Sequence, residues 1–269
     1  MTERWQLSAM AAANYERYQV PSVFEPLAGM FLRRVALRPG QRVLDVACGT
    51  GILARLAAPI LGDDGSIVCV DLSGEMLEVA RGSAPAAGAR VAWHQADAVS
   101  LPLPGAAFDV VLCQQGLQFM PDKAAVLAEM HRVLKPGGML GICVWRSIED
   151  SPLHAAIAEW IACHIRRDVA DRFSAPFSFG EPASLRSAIR AAGFGSVEIH
   201  VDTVTRRLHR AEKSIPGLLA STPIAGDIAA LDAARLADLI DEVSGKLTGF
   251  MDGHELVVPQ PTLIGMARK

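Results

Sequence analysis

The sequence has no run of five or six like charges, no long apolar stretch and no closely paired cysteines, and each absence excludes a class of protein. With 26 basic against 29 acidic residues, its formal charge is -3 and no basic patch is visible for tRNA, rRNA or DNA. The longest nearly uninterrupted apolar stretch runs from Gly138 to Trp145, far short of the roughly 20 residues a membrane span needs. No basic-then-apolar leader is visible in Met1-Thr2-Glu3-Arg4-Trp5, so no secretory signal is expected. The five cysteines (Cys48, Cys69, Cys113, Cys143, Cys163) are odd in number and contain no Cys-x-x-Cys pair. Neither a disulfide framework nor a zinc knuckle is expected, and a reducing cytoplasm fits best. Aromatic residues are scarce at 6%.

Apolar material is plentiful. Hydrophobic residues make up 51% of 269 and charged residues 20%, the opposite of a disordered composition. From 40 to 146, short β-branched runs alternate with helical patterns. Residues 41–46, 66–71, 90–94, 108–113 and 139–145 read as strands. Between them, 52–61, a helix capped by Ser73 to about Arg81, and one capped by Asp122 to Leu134 read as helices. This alternation predicts βαβ units and a doubly wound, Rossmann-like α/β fold. Residues 5–36 read as two helices broken at Pro21, and 150–192 as helical with a break around 172–181. Two closing strands, 194–201 and 262–267, bring the mostly parallel sheet to seven, with 211–220 and 231–247 as inserted helices. The expected organisation is one domain over 1–269: a helical cover (1–38), a cofactor-binding core (39–146), then lid inserts and closing strands (147–269).

The chemistry concentrates around Gly49-Thr50-Gly51-Ile52-Leu53-Ala54, a glycine turn between a strand and a helix N-terminus. Asp71 ends the second strand about 20 residues later, where a carboxylate accepts from both hydroxyls of a ribose. The G-x-G-x-x-A spelling also fits a dinucleotide, so a nicotinamide-dependent oxidoreductase stands as an alternative. A non-catalytic nucleoside-binding protein is another. Asp45 argues against the first: a carboxylate before the loop repels a pyrophosphate but attracts an ammonium and a sulfonium. Asp97, after the third strand, is placed to accept from an adenine amino group. Neither Tyr15 nor Tyr18 has a lysine four residues later, so a short-chain dehydrogenase's Tyr-x-x-x-Lys pair is missing.

Val43-Leu44-Asp45-Val46-Ala47-Cys48-Gly49-Thr50-Gly51 resembles motif I of the class I S-adenosylmethionine-dependent methyltransferases. The continuation resembles the ubiquinone/menaquinone-biosynthesis C-methyltransferases and their small-molecule relatives. It includes Val70-Asp71-Leu72-Ser73-Gly74-Glu75-Met76-Leu77, Ala96-Asp97-Ala98, Phe108-Asp109-Val110-Val111 and Arg132-Val133-Leu134-Lys135-Pro136-Gly137-Gly138. The resemblance implies S-adenosylmethionine as cofactor, with Gly49 and Gly51 beneath its methionine part and Asp45 near the amino group. Asp71 would bind the ribose, Leu72 and Met76 the adenine face, and Asp97 the adenine amino group with Ala98 beside it. Gln114 would line the methionine end, with Tyr15 or Tyr18 closing over the carboxylate.

Cys48 lies at a helix N-terminus, which favours a thiolate, but no histidine neighbours it in sequence as an activator. The histidines show no metal-ligand spacing, so no metal is expected. Where the acceptor requires a base, His154, just after the fifth strand, is the candidate. Phe173, Phe177, Phe179, Leu218, Leu219 and Ile224 suggest a small apolar or aromatic acceptor. Acceptor identity, the atom methylated and oligomeric state are not encoded in any pattern found.

Overall fold

The computed structural model describes residues 8–269. Three of the residues expected to start the first helix, 5–7, lie outside that range. The chain then forms one helical rod: α1 (Ala9–Asn14), a π-helical segment (Tyr15–Phe24) and α2 (Glu25–Val35). Ser8 caps it, its hydroxyl accepting from the Ala11 N–H at 3.3 Å. The expected break at Pro21 does not occur. Pro21 lies inside the π-helical segment, where the wider turn accommodates a ring and a missing N–H that an α-helical ladder rejects. Leu27 and Phe31 of α2 are fully buried, each contributing about 1.5–3 kcal/mol.

The central sheet contains the five predicted parallel strands: β1 (Arg42–Val46), β2 (Ser66–Asp71), β3 (Arg90–Gln95), β4 (Phe108–Gln114) and β5 (Leu134–Trp145). Helices α3 (Ile52–Leu61), α4 (Gly74–Gly82) and α5 (Lys123–Val133) connect them, the latter two capped by Ser73 and Asp122 as expected. Beyond β5 come α6 (Pro152–His164), α7 (Arg167–Ser174) and α8 (Pro182–Ala191), then β6 (Gly195–His209). Next are α9 (Ala211–Leu219), α10 (Ala225–Ala229), α11 (Ala233–Lys246), a two-residue β7 (Met251–Asp252) and β8 (Glu255–Arg268). The strand order is β3-β2-β1-β4-β5-β8-β6, with β7 added on β8. The fold is the Rossmann-like, mostly parallel arrangement; β8 runs antiparallel to both β5 and β6. Strand order reverses between β1 and β4, and that switch point opens a cleft at the strands' carboxyl ends.

The closing strands differ from expectation. They run 15 and 14 residues, pairing continuously from Glu198 with Met266 to His209 with Glu255. The inward set of the β6 extension is Val204, Arg206 and Leu208, and the arginine breaks the apolar alternation by which a strand is read. On β8, Pro259 and Pro261 interrupt the pattern. They lie beyond Thr262, where pairing with β5 ends, and so occupy a free edge that tolerates a missing N–H. Two hydrophobic clusters cover the faces of the sheet. A third joins α6, α7, α9, α10 and α11 to Leu208, Leu256 and Val258 on the strand extensions.

Candidate active site

The cleft holds a cavity of about 390 Å³ lined by the ends of β1, β2 and β4 and by the π-helical segment. Nine of the sequence candidates line it: Tyr15, Asp45, Gly49, Asp71, Leu72, Met76, Asp97, Ala98 and Gln114. Gly51, Tyr18 and His154 do not.

Asp45 is the most unusual group. It lies in β1 between β2 and β4, 2% exposed, and neither carboxylate oxygen has a hydrogen-bond partner. It caps no backbone. Burial, reinforced by the charge of Asp71, holds its pKa well above the usual carboxylate range. A buried acceptor with nothing to accept from, facing a cavity, fits a cationic ligand group.

Asp71 ties the glycine turn to β2. Its Oδ2 accepts from the Gly49 N–H at 2.8 Å and its Oδ1 from the Ser73 N–H at 2.9 Å. Burial raises its pKa, while the N–H groups of Ser73, Gly49 and Leu72 oppose the rise. Each carboxylate oxygen retains a further lone pair for a hydroxyl. Asp97, which is exposed, accepts from the Val99 N–H at 3.2 Å and keeps acceptor capacity toward the cavity. Gln114 donates to the Phe24 carbonyl at 3.3 Å, joining β4 to the N-terminal helix, and its buried Oε1 has no partner.

The two glycines divide their work. Gly49, at φ +54°, faces the cavity, where a Cβ would come within 3.7 Å of Met76. Gly51, at φ +82°, makes the turn into α3; a Cβ there would lie 2.6 Å from the Trp93 ring. Of the two glycines, only Gly49 therefore lines the cavity. The tyrosines divide likewise. Tyr15 stacks on Phe24 at 4.9 Å and borders the cavity, whereas Tyr18 lies against Gly217 of α9 with Arg17 over its ring. Burial raises the Tyr15 pKa, keeping its phenol neutral.

His154 faces a smaller recess of about 90 Å³ that adjoins the main cavity; Tyr15, Phe24, Phe119, Trp145 and Ser221 line both. The side chain is 7% exposed; its imidazole stacks on Phe173 at 5.9 Å and meets the Phe177 ring at a tilt, 4.9 Å away. Burial, then the neighbouring Arg206 cation, pushes its pKa well below the usual value. Burial also pushes the thiols near the cleft up, Cys48 strongly and Cys113 and Cys143 to about 12, so none of these three is a nucleophile at neutral pH. His164, Asp238 and Glu242 gather their ligating atoms within 4.8 Å of one another on the α6–α11 surface.

Arg206, Trp145, Phe119 and Ser221 line the cavities without having been singled out in the sequence. Trp145 was within reach of sequence reasoning, since it ends the fifth strand at the ligand edge. Arg206 was not, because a charged residue at a buried position interrupts the apolar alternation of its strand.

The fold and its switch-point cleft define a Rossmann-like α/β protein. Residues 43–138 match the methyltransferase-domain family. Over 122 residues the chain is 42% identical to the ubiquinone/menaquinone biosynthesis C-methyltransferase of Teredinibacter turnerae, covering 45% of this chain and 49% of that one. The match thus spans about half the length of that curated relative. Over 176 residues it is 34% identical to the same enzyme of Ralstonia nicotianae, covering 62% of this chain and 72% of that one. Among solved structures, Haemonchus contortus phosphoethanolamine N-methyltransferase 2, in complex with S-adenosyl-L-methionine, superposes with a TM-score of 0.61. Identity there is 20%, over 99% of this chain and 58% of that one. The chain belongs to the class I S-adenosylmethionine-dependent methyltransferases, and S-adenosylmethionine is that family's cofactor. Among the described residues, no helix is long and apolar enough to cross a membrane.

Proposed function

We propose that the protein transfers the methyl group of S-adenosylmethionine to a small apolar or aromatic acceptor. The observation that carries this reading is the unpartnered Asp45 carboxylate, facing a cavity that continues into an aromatic-walled recess. When bound, the cofactor supplies a methyl group on a sulfonium sulfur, which leaves as the thioether while the acceptor atom forms the new bond. Asp45 attracts the ammonium of the methionine part, Asp71 accepts from the ribose hydroxyls and Asp97 from the adenine amino group. Leu72, Met76 and Ala98 pack on the ring, and Gln114 and Tyr15 line the methionine end. Holding donor and acceptor in line and excluding water contributes up to about 7–11 kcal/mol to such a displacement.

His154 serves better as a wall of the acceptor recess than as a general base. A proton taken there would sit in a desolvated site beside Arg206. The acceptor proton therefore leaves before binding or through solvent. The helices of the third hydrophobic cluster form a cover over the acceptor end of one domain, because they are built on extensions of the sheet's own strands. The names of the relatives include both carbon and nitrogen methylation, so the shared core leaves the acceptor atom open.

Two measurements test the reading. Calorimetry with S-adenosylhomocysteine is expected to show binding, and transfer of labelled methyl to a panel of small aromatic acceptors is expected to show turnover. Absence of binding refutes the cofactor site. Binding without transfer to any acceptor favours the non-catalytic nucleoside-binding alternative, and tight NADH binding favours the oxidoreductase.

A further inference from the structure

Arg206 is 1% exposed, and among the described residues no carboxylate pairs with it. Its Nε donates to Gln260 Oε1 at 2.8 Å, and its Nη1 to Gln19 Oε1 at 2.9 Å and Ser22 Oγ at 3.1 Å. Every one of those acceptors is neutral, and among the described residues none accepts from Nη2. The guanidinium lines the recess beside His154, whose imidazole is neutral, and near Tyr15, whose phenol is neutral. Burial lowers the Arg206 pKa to about 9, which leaves it charged at neutral pH.

A buried cation is normally paired, because an isolated charge loses its hydration with nothing to replace it. Here the neutral partners fix its position without cancelling its charge. Gln19 is itself held by Ser221, to which its Nε2 donates at 3.0 Å, so three segments of chain immobilise the side chain. The acids of the site (Asp45, Asp71 and Asp97) line only the main cavity, and Arg206 lines only the recess. The acidic side chains therefore line the main cavity, where a sulfonium and an ammonium would sit, and the guanidinium lines the adjoining recess.

We propose that the recess is an anion subsite: the acceptor is an aromatic molecule bearing a carboxylate or similar oxyanion, which pairs with Arg206 while the ring lies among Phe173, Phe177 and Trp145. This rests on the methyltransferase reading for the meaning of the recess, and it narrows the acceptor from apolar or aromatic to aromatic and anionic. The cofactor's own carboxylate is the competing anion, and its location separates the two.

The test titrates benzoate and its neutral isostere benzamide into the protein, with and without saturating S-adenosylhomocysteine. Benzoate is expected to bind at least about tenfold more tightly than benzamide, the scale of one charge-assisted hydrogen bond. Arg206→Gln is expected to erase that preference while leaving S-adenosylhomocysteine affinity within about twofold, and Arg206→Lys to retain part of it. Equal binding of benzoate and benzamide to the wild-type protein overturns the proposal, and that comparison stands even where Arg206→Gln fails to fold. A loss of S-adenosylhomocysteine affinity in Arg206→Gln, with benzoate preference intact, also overturns it by assigning the guanidinium to the cofactor. Failure of S-adenosylhomocysteine to bind the wild-type protein refutes the methyltransferase reading instead, and the benzoate comparison in cofactor-free protein then decides the subsite alone.

Discussion

Replacing Asp45 by Asn should move stability and ligand affinity in opposite directions. The wild-type carboxylate is buried without a partner, so its ionised form is disfavoured in the folded, ligand-free protein. Its folded pKa lies above its unfolded one. Its contribution to stability is therefore fully present below the unfolded carboxylate range and is lost as pH rises through the raised folded value. The amide has no such slope. At pH 8 the variant should be more stable than wild type by on the order of 1 kcal/mol, which corresponds to a rise of about 2–4 °C in melting temperature. S-adenosylhomocysteine carries the same ammonium as the methyl donor, and losing a charge-assisted hydrogen bond to it removes about 1.5–3 kcal/mol. Affinity should then fall roughly 10- to 150-fold. Because binding a cation favours the carboxylate, wild-type affinity should also rise with pH up to the raised pKa, and Asp45→Asn should flatten that dependence. Melting curves from pH 5 to 8 and calorimetry with S-adenosylhomocysteine measure both effects. An Asn variant that binds the ligand unchanged, or that melts lower at every pH, would refute the argument that Asp45 is held unpaired for a cation.

Other outcomes follow from the same geometry. Gly51→Ala should destabilise the protein by about 1–3 kcal/mol, through the φ of +82° and the 2.6 Å approach to Trp93. Adding Trp93→Leu should recover part of that loss, and no recovery in melting temperature would rule out the steric term. Tyr15→Ala should weaken S-adenosylhomocysteine binding, whereas Tyr18→Phe should leave it unchanged; equal effects in calorimetry would contradict their separation by the cavity wall. Of the five thiols, only Cys163 is exposed, so titration of the native protein with a thiol reagent at pH 8 should label one, and in denaturant all five. Rapid native labelling of Cys48 would reverse the conclusion that its thiol is inert.

Local signals made the core readable. Ser73 and Asp122 cap their helices because a short side-chain oxygen reaches an unpaired N–H two or three residues on, and that needs no tertiary context. The doubly wound order follows from strands alternating with helices, and the glycine turn and strand-end acids that border the cleft are local signals as well. The continuous rod through Pro21 was hidden, because only packing against the sheet makes a π-helical detour stable there. The β6 and β8 extensions were hidden because Arg206, Pro259 and Pro261 break the alternation that announces a strand.

The sequence by itself determined the glycine turn, the helix caps and the strand-end carboxylates, since these act over a few residues. Only the tertiary structure decided which of them share a cavity. It put Gly49 rather than Gly51, and Tyr15 rather than Tyr18, on the cavity wall, and it left Asp45 without a partner. It also set Arg206 within hydrogen-bonding distance of Gln19, 187 residues away, by a strand pairing that a linear pattern does not carry. Charge placement at the acceptor end depends on those long-range contacts, because burial and partnership are properties of the folded neighbourhood and not of a residue type.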